Sequence, residues 1–420
     1  NMANSLYRWD DVLDLNSWRK TNEQESGYIN EGTINVWGGT AKNNYLGSGE
    51  ERITGINVAY GTINNKDTGT VTVDHGYGIV GTDGSILNNE GNITVTGKYT
   101  NNGAALSALR VANRYSVETK ESGENYGIVG LSTNNVGYGN NKIDITNKAA
   151  AAVGIITVDG DYARGIYAKN VNNAAKTNVT VTYDNSSAAS PDAIKVNAAN
   201  SDKTSKGVGI AIDSYANSGT TAGGILKLKT QNTKTTADIL TSYNGIGIHA
   251  KASNILFDPD STGITIETKN DGAGIWLTDD SNVGEETDKH LKSLNYLYKG
   301  DNDKKGFGMV FTSKDTTNAT SASNYLDITF NNNGATVTLA DEKNNLATGT
   351  TKGIAGILVN TDNNDTVTNF GDIKEDTSKT HVRSYGAVVN KGRLVNYGNI
   401  ELNDSLNEDA SNVDKTDLKK

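Results

Sequence analysis

One short phrase recurs along this chain and limits what it can fold into. Asn-x-Gly-x-Ile stands at Asn30–Ile34 and returns at Asn89–Ile93, Asn369–Ile373 and Asn396–Ile400. Between its copies runs a second phrase, glycine followed by alternating apolar residues, as in Gly78-Ile79-Val80, Gly247-Ile248-His249-Ala250, Gly274-Ile275-Trp276-Leu277 and Gly356-Ile357-Leu358-Val359. Imperfect repetition of strand-and-turn units over a whole chain marks a solenoid, in which each unit buries its apolar face on the next. A solenoid grows in one dimension, so 420 residues need not divide into separate globules. The fold class that follows is all-β: a parallel β-helix of about ten coils, right-handed by the usual crossover rule.

Aligning the glycine phrase makes the coils explicit. Ile79, Leu109, Ile128, Ile166, Ile210, Ile248, Ile275, Met309, Ile357 and Ala387 fall in one column, with Gly81, Val111, Gly130, Ala168, Ile212, Ala250, Leu277, Phe311, Val359 and Val389 two residues on. Strand side chains alternate with period two, so both columns are expected to point inward and the residues between them outward. The Asn-x-Gly-x-Ile phrase reads as a corner followed by a second strand. Its glycine is expected to supply a positive φ, its asparagine tolerates left-handed backbone, and stacked asparagines can form amide ladders. Inward pairs then include Ile34 with Val36, Ile93 with Val95, and Ile400 with Leu402.

The ends and the middle depart from this pattern. Leu6, Trp9 and Leu13 share a helical face, so residues 1–26 read as an amphipathic cap over the first rung. The solenoid is expected over 27–402, with insertions at 185–206, which is loop-like and contains Pro191, and at 282–305. In the latter, Leu291, Leu294 and Tyr298 have helical spacing and predict a short lateral helix. Residues 403–420 read as a polar tail or the start of a truncated further coil. Asn1 looks like the start of a mature or trimmed chain.

Composition excludes several classes of function. There is no cysteine, which removes disulfides and thiolate metal sites. A net charge of -10 argues against nucleic acid. No apolar stretch approaches the ~18 residues of a membrane-spanning helix.

The outward column of the glycine phrase is the best lead to a site. It reads Val80, Arg110, Val129, Tyr167, Ala211, His249, Trp276, Val310, Leu358 and Val388, largely apolar where polar residues are usual. An apolar strip marks either a partner surface or something that covers it, such as the two insertions folding back. The glycines preceding it, Gly78 through Gly386, are expected to face outward too, forming a shallow groove, or else to permit a bend between walls. Candidate ligand-binding residues are Tyr167, His249, Trp276, Asp279 and Asp280. An aromatic face beside carboxylates suits a sugar ring and its hydroxyls. Neither a metal nor a cofactor is expected. Asp301-Asn302-Asp303-Lys304-Lys305-Gly306 opens like a calcium loop but places Lys305 and Thr312 where oxygen ligands are needed. Gly245-Ile246-Gly247 matches a dinucleotide fingerprint only by letter, since a strand continues after it. His75, His249, His290 and His381 show no metal-ligand spacing and read as surface residues.

With these repeats set out, the phrases YGIVG (126–130), ILNNEGNITVTG (86–97) and GIAGILVN…VTNFGDI…YGAVVNKGRLVNYGNIEL (353–402) resemble passenger repeats of the large fusobacterial autotransporter adhesins. The resemblance covers most of 27–402. It implies a right-handed β-helix secreted by the type V route and displayed outside the outer membrane. It also implies a role in attachment to host cells or partner bacteria, through a protein or glycan receptor, and in virulence. The chain departs from the family pattern in having no terminal run of ~10-residue alternating strands for a translocator barrel. A monomeric passenger fragment is therefore expected, its only membrane link being that absent barrel. The principal alternatives are a β-helix polysaccharide lyase or hydrolase, which needs convergent carboxylates, and a purely structural shaft segment.

Overall fold

In the computed structural model the described residues lie within 27–402. Residues 1–26 and 403–420 fall outside them, as do 38–52, 60, 75, 83, 97–108, 112–114, 118–124, 133–141, 161–162, 171–178, 188–191, 198–206, 215–222, 233–235, 300–304, 314–320, 333–352, 363 and 377–383. The expected N-terminal cap and C-terminal tail are thus outside the described residues.

The chain winds through three parallel walls in a fixed order. The first wall opens with Gly27–Asn30, the second with Thr33–Trp37 and the third with Ile53–Ala59. Each strand then pairs in parallel with the strand one turn later: Gly27–Asn30 with Thr62–Asn65, Thr33–Trp37 with Thr70–Asp74, and Ile53–Ala59 with Gly76–Thr82. Among the described residues the second wall has eleven strands and the third ten, while the first has seven and then three. The gap in the first wall is closed by one residue, Val283, which bridges Ile255 below and Asn324 above. The chain is therefore a parallel β-helix, and eleven rungs at ~4.8 Å give a rod roughly 50 Å long.

The core is one side chain deep on each wall. Leu87, Ile145 and Val181 enter it from the first wall, Ile93, Ile156 and Ile266 from the second, and Ile128, Ile210 and Ile275 from the third, all buried. Burial of each Ile stabilises by roughly 1.5–3 kcal/mol. β-branched residues repeat on these faces because they pack well on a pleated surface.

The corner between first and second walls is held by an asparagine ladder. Asn30 Nδ2 donates to Asn65 Oδ1 (2.7 Å), Asn65 to Asn89 (2.7 Å) and Asn89 to Asn147 (2.6 Å). A second ladder runs Asn324–Asn369–Asn396 at 2.7 Å per step. Between them the same register position holds Tyr183, Leu228 and Phe257, and the corner is filled by packing instead. Burial pushes the Tyr183 phenol well above its ordinary range, reinforced by the Asp238 carboxylate, and the Tyr183 O–H donates to the Asp238 carbonyl at 2.8 Å.

Several expectations are corrected by the fold. The corner glycines Gly91, Gly371 and Gly398 are not at positive φ. They are required by space, since a Cβ on Gly371 would lie 1.9 Å from the Leu326 carbonyl oxygen of the preceding rung. Leu109–Val111 is not a coil strand but pairs antiparallel with Tyr115–Val117. No rung lies between Ile79 and Ile128, whose strands pair directly, and the alignment missed the rung Ile53–Ala59, whose Ile56 and Val58 register with Ile79 and Gly81. The segment 185–206, read as a loop, contains the second-wall strand Ile194–Asn197, with Ile194 and Val196 in the core. The lateral helix expected in 282–305 is a single 3-10 turn, Glu286–Asp288, followed by the second-wall strand Ser293–Tyr298. Leu294, Tyr296 and Tyr298 alternate inward, and Leu291 is 70% exposed.

The glycines of the third wall also differ from expectation. Gly78, Gly127, Gly165, Gly209 and Gly247 point into the rod, each with its Cβ position against the next rung's glycine carbonyl and a core Ile of the second wall. At each rung the glycine drops out of the paired register: Tyr126 pairs with Arg164 and Ile128 with Ile166. Glycine and the following Ile are both inward, and the residue before the glycine faces out. No outward glycine groove exists among the described residues.

Candidate functional site

The kink at each third-wall glycine gives the outer face of that wall two apolar columns. One comprises Tyr77, Tyr126, Val208 and Ile246, and the other Val80, Val129, Tyr167 and Ala211. Together they form a hydrophobic cluster separate from the rod's own core. The rings of Tyr77 and Tyr126 stack at 5.3 Å, Tyr126 and Tyr167 lie at 5.6 Å, and the Arg164 guanidinium sits 4.4 Å from the Tyr167 ring centre. Tyr77, Val80, Tyr126 and Val129 are at most 2% exposed although they point away from the core. The lower part of the expected strip is therefore covered.

The cover opens two rungs above Tyr167. His249 and Trp276 occupy the same outward position on successive strands, Ile246–Lys251 and Gly272–Thr278. Both are half-buried. Their rings meet edge to face at 6.1 Å. The indole N–H of Trp276 donates to Thr312 Oγ1 (2.8 Å), His249 Nε2 lies 3.1 Å from Thr278 Oγ1, and the two hydroxyls bond to each other at 3.0 Å. This network fixes both ring planes, and Trp276 also packs against the tyrosine cluster below. Two residues further along each strand runs an ion ladder: Lys169 to Asp213 at 3.9 Å and Lys251 to Asp213 at 3.5 Å. The side chains of these three residues are about a quarter exposed.

Asp279 and Asp280 follow Trp276 at the corner into the first wall. Asp279 has φ 59°, a left-handed conformation that asparagine and aspartate adopt more readily than most residues. Asp280 Oδ1 accepts the Ser321 backbone N–H at 3.1 Å. The structure thus brings His249, Trp276, Asp279 and Asp280 to one part of the rod and leaves Tyr167 in the covered cluster below. The patch offers an oriented indole, an imidazole, hydroxyls, carboxylates and ammonium groups, a donor and acceptor set suited to recognition.

Two further surface arrangements were missed in the sequence. The residue after each ladder asparagine forms its own column. At one end it is charged, with Lys66 and Lys148 3.8 and 3.7 Å from Glu90. At the other it is aromatic, with Tyr325–Phe370 and Phe370–Tyr397 stacked at 4.7 and 5.3 Å and within 9° of parallel. Beside the aromatic column His290 meets Asp327 and Asp372, residues far apart in the chain. His75, His381 and Asp301–Lys304 lie outside the described residues.

No family model, curated protein or solved structure matches this chain.

Proposed function

We propose that this chain is the passenger of a bacterial surface adhesin of the autotransporter type. It is displayed extracellularly and attaches cells to a protein or glycan receptor on host cells or partner bacteria. The observation that carries this reading is the His249–Trp276 patch. It is a half-open part of a wall whose outward tyrosines Tyr77, Tyr126 and Tyr167 are buried, and its aromatic planes are fixed by Thr278 and Thr312. Preorganised rings cost little entropy on binding. The rod is a rigid scaffold for such a patch, and the repeats resemble passengers of that family.

The test is binding of the purified chain to host cells, partner bacteria and a glycan array, alongside Trp276→Ala and Tyr167→Ala. Retained affinity in Tyr167→Ala with at least tenfold loss in Trp276→Ala fits recognition at the open patch. Equal binding by Trp276→Ala and the native chain rejects the patch, and absence of binding by the folded chain makes it a spacer.

A further inference from the structure

The corner of the rod near its last rungs gathers a donor set that the His249–Trp276 patch does not use. His290 lies between the 3-10 turn Glu286–Asp288 and the strand Ser293–Tyr298. Asp327 begins the second-wall strand of the next rung, and Asp372 holds the equivalent place one rung on, since Ile328 registers with Ile373. The His290 Nδ1 atom is 3.1 Å from Asp327 Oδ1 and 3.7 Å from Asp372 Oδ2. One ligand atom from each of the three residues lies within 4.8 Å of the others.

We propose that His290, Asp327 and Asp372 form a binding site for a divalent first-row transition cation such as zinc. One imidazole nitrogen and two carboxylate oxygens are the donors such ions take. Ligands at about 2.0–2.1 Å in tetrahedral geometry stand about 3.3 Å apart, close to the two separations from His290. A hard cation such as calcium takes 6–8 oxygens, which this set does not supply. All three side chains are between 29% and 46% exposed, so an ion can enter and water can complete its shell.

The ligands are held in place by their surroundings. Asp327 Oδ1 accepts the Asp372 backbone N–H (2.8 Å), and Asp372 Oδ1 accepts that of Asn399 (2.7 Å), so each carboxylate is oriented by the next rung. Asp372 Oδ2, the atom facing His290, is the oxygen that the Asn399 bond leaves over. The turn carrying His290 is pinned on both sides. Asp288 is buried and accepts the Glu285 N–H at 2.9 Å, and Lys292 is buried with its ammonium on the carbonyls of Asp258, Pro259 and Ser261. Such pinning by second-shell bonds is what keeps metal ligands in geometry. Because the ligands come from three successive turns of the rod, a bound ion would tie those turns together.

The experiment is calorimetric titration of the full chain with zinc chloride, and with calcium chloride for comparison. Amide exchange at Ile328 and Ile373 is followed in parallel. His290→Gly and Asp372→Asn are the variants. His290 has φ 60°, which glycine adopts without strain, so His290→Gly folds at least as well as the native chain when zinc is absent. The expected result is one zinc per chain, calcium much weaker, and about 100-fold slower exchange at zinc 100 times its Kd. Both variants should lose this slowing while keeping the native circular dichroism in chelator. Lack of stoichiometric zinc binding by the native chain overturns the proposal, as does undiminished binding in His290→Gly. If Asp372→Asn fails to fold, His290→Gly alone decides. Neither result depends on whether a receptor binds at Trp276.

Discussion

The asparagine ladder allows a sharp test, because Asn88 and Asn89 are chain neighbours on opposite faces of one strand. Asn89 is 1% exposed, accepts from Asn65 Nδ2 at 2.7 Å and donates to Asn147 Oδ1 at 2.6 Å. Asn89→Ala removes both bonds and leaves an amide donor below and a carbonyl acceptor above, each buried. An orphaned buried polar group costs about 1–3 kcal/mol, so the pair predicts a loss of about 4 kcal/mol. Asn88 instead donates to Asn64 Oδ1 at 2.9 Å on the solvent side. Water can replace that bond, and Asn88→Ala should cost below about 1 kcal/mol. A rod of repeats opens locally, so a global melt averages over distant rungs. Hydrogen exchange at amides of the strand Ile86–Asn89 reads the local opening instead. Asn89→Ala should speed it by on the order of 10³-fold, since each 1.4 kcal/mol is tenfold. A cycle with Asn65→Ala should show coupling, because that substitution has already removed one of the two bonds. Equal effects of Asn88→Ala and Asn89→Ala, or an additive cycle, would refute the reasoning.

Three other predictions test the packing. Gly371→Ala places a Cβ 1.9 Å from the Leu326 carbonyl and should cost about 3 kcal/mol or more in urea unfolding, whereas Gly32→Ala has nothing within 4 Å and should be neutral to slightly stabilising. Lys292→Met strips an ammonium from three carbonyls of the 258–261 turn and should destabilise that turn by about 2–3 kcal/mol, read by exchange at Ser261 and Thr262. Burial raises the Tyr183 and Tyr296 phenols above their ordinary value of 10.0, so above that pH the unfolded chain loses protons the folded chain keeps. Stability complete below pH ~10 should then fall by about 1.4 kcal/mol per unit for each tyrosine, and Tyr296→Phe should flatten the alkaline limb of a pH–stability curve.

The period-two pattern was enough to read a parallel β-helix, its inward isoleucines and the ladder asparagines, because each rung repeats the same local chemistry. It failed where the backbone breaks that period. At the third-wall glycines two successive residues point inward, so a strict alternation puts Gly127 outside and hides the column containing Tyr77 and Tyr126. The same kink explains why these positions are glycine. A Cβ on Gly127 would stand 2.5 Å from the Gly165 carbonyl and 2.4 Å from Ile156 Cγ2. The sequence thus carried the signal, but as a steric requirement between rungs and not as a conformational one within a turn. The segment 282–305 misled for a related reason. Leu291, Leu294 and Tyr298 mimic helical spacing, while Leu294, Tyr296 and Tyr298 satisfy period two, and only stacking on Ile264 and Ile328 decides between them.

The surface was less legible than the core, since its neighbours are set by the pitch of the rod. His249 and Trp276 are 27 positions apart and yet adjacent, a contact that aligning the glycine phrase does recover. Asp327 and Asp372 share one corner position, but His290 belongs to no phrase with them. The coil carrying His290 reduces its first-wall strand to the single bridging residue Val283, and the chain then turns through Glu286–Asp288 across the corner. There His290 reaches over two rungs whose aspartates are themselves in register. An irregular coil therefore does what a perfect repeat cannot: it places a side chain of a new type beside a column of identical ones. The coil at Val283, with its first-wall strand reduced to one bridging residue, is the clearest departure from the repeat among the described residues.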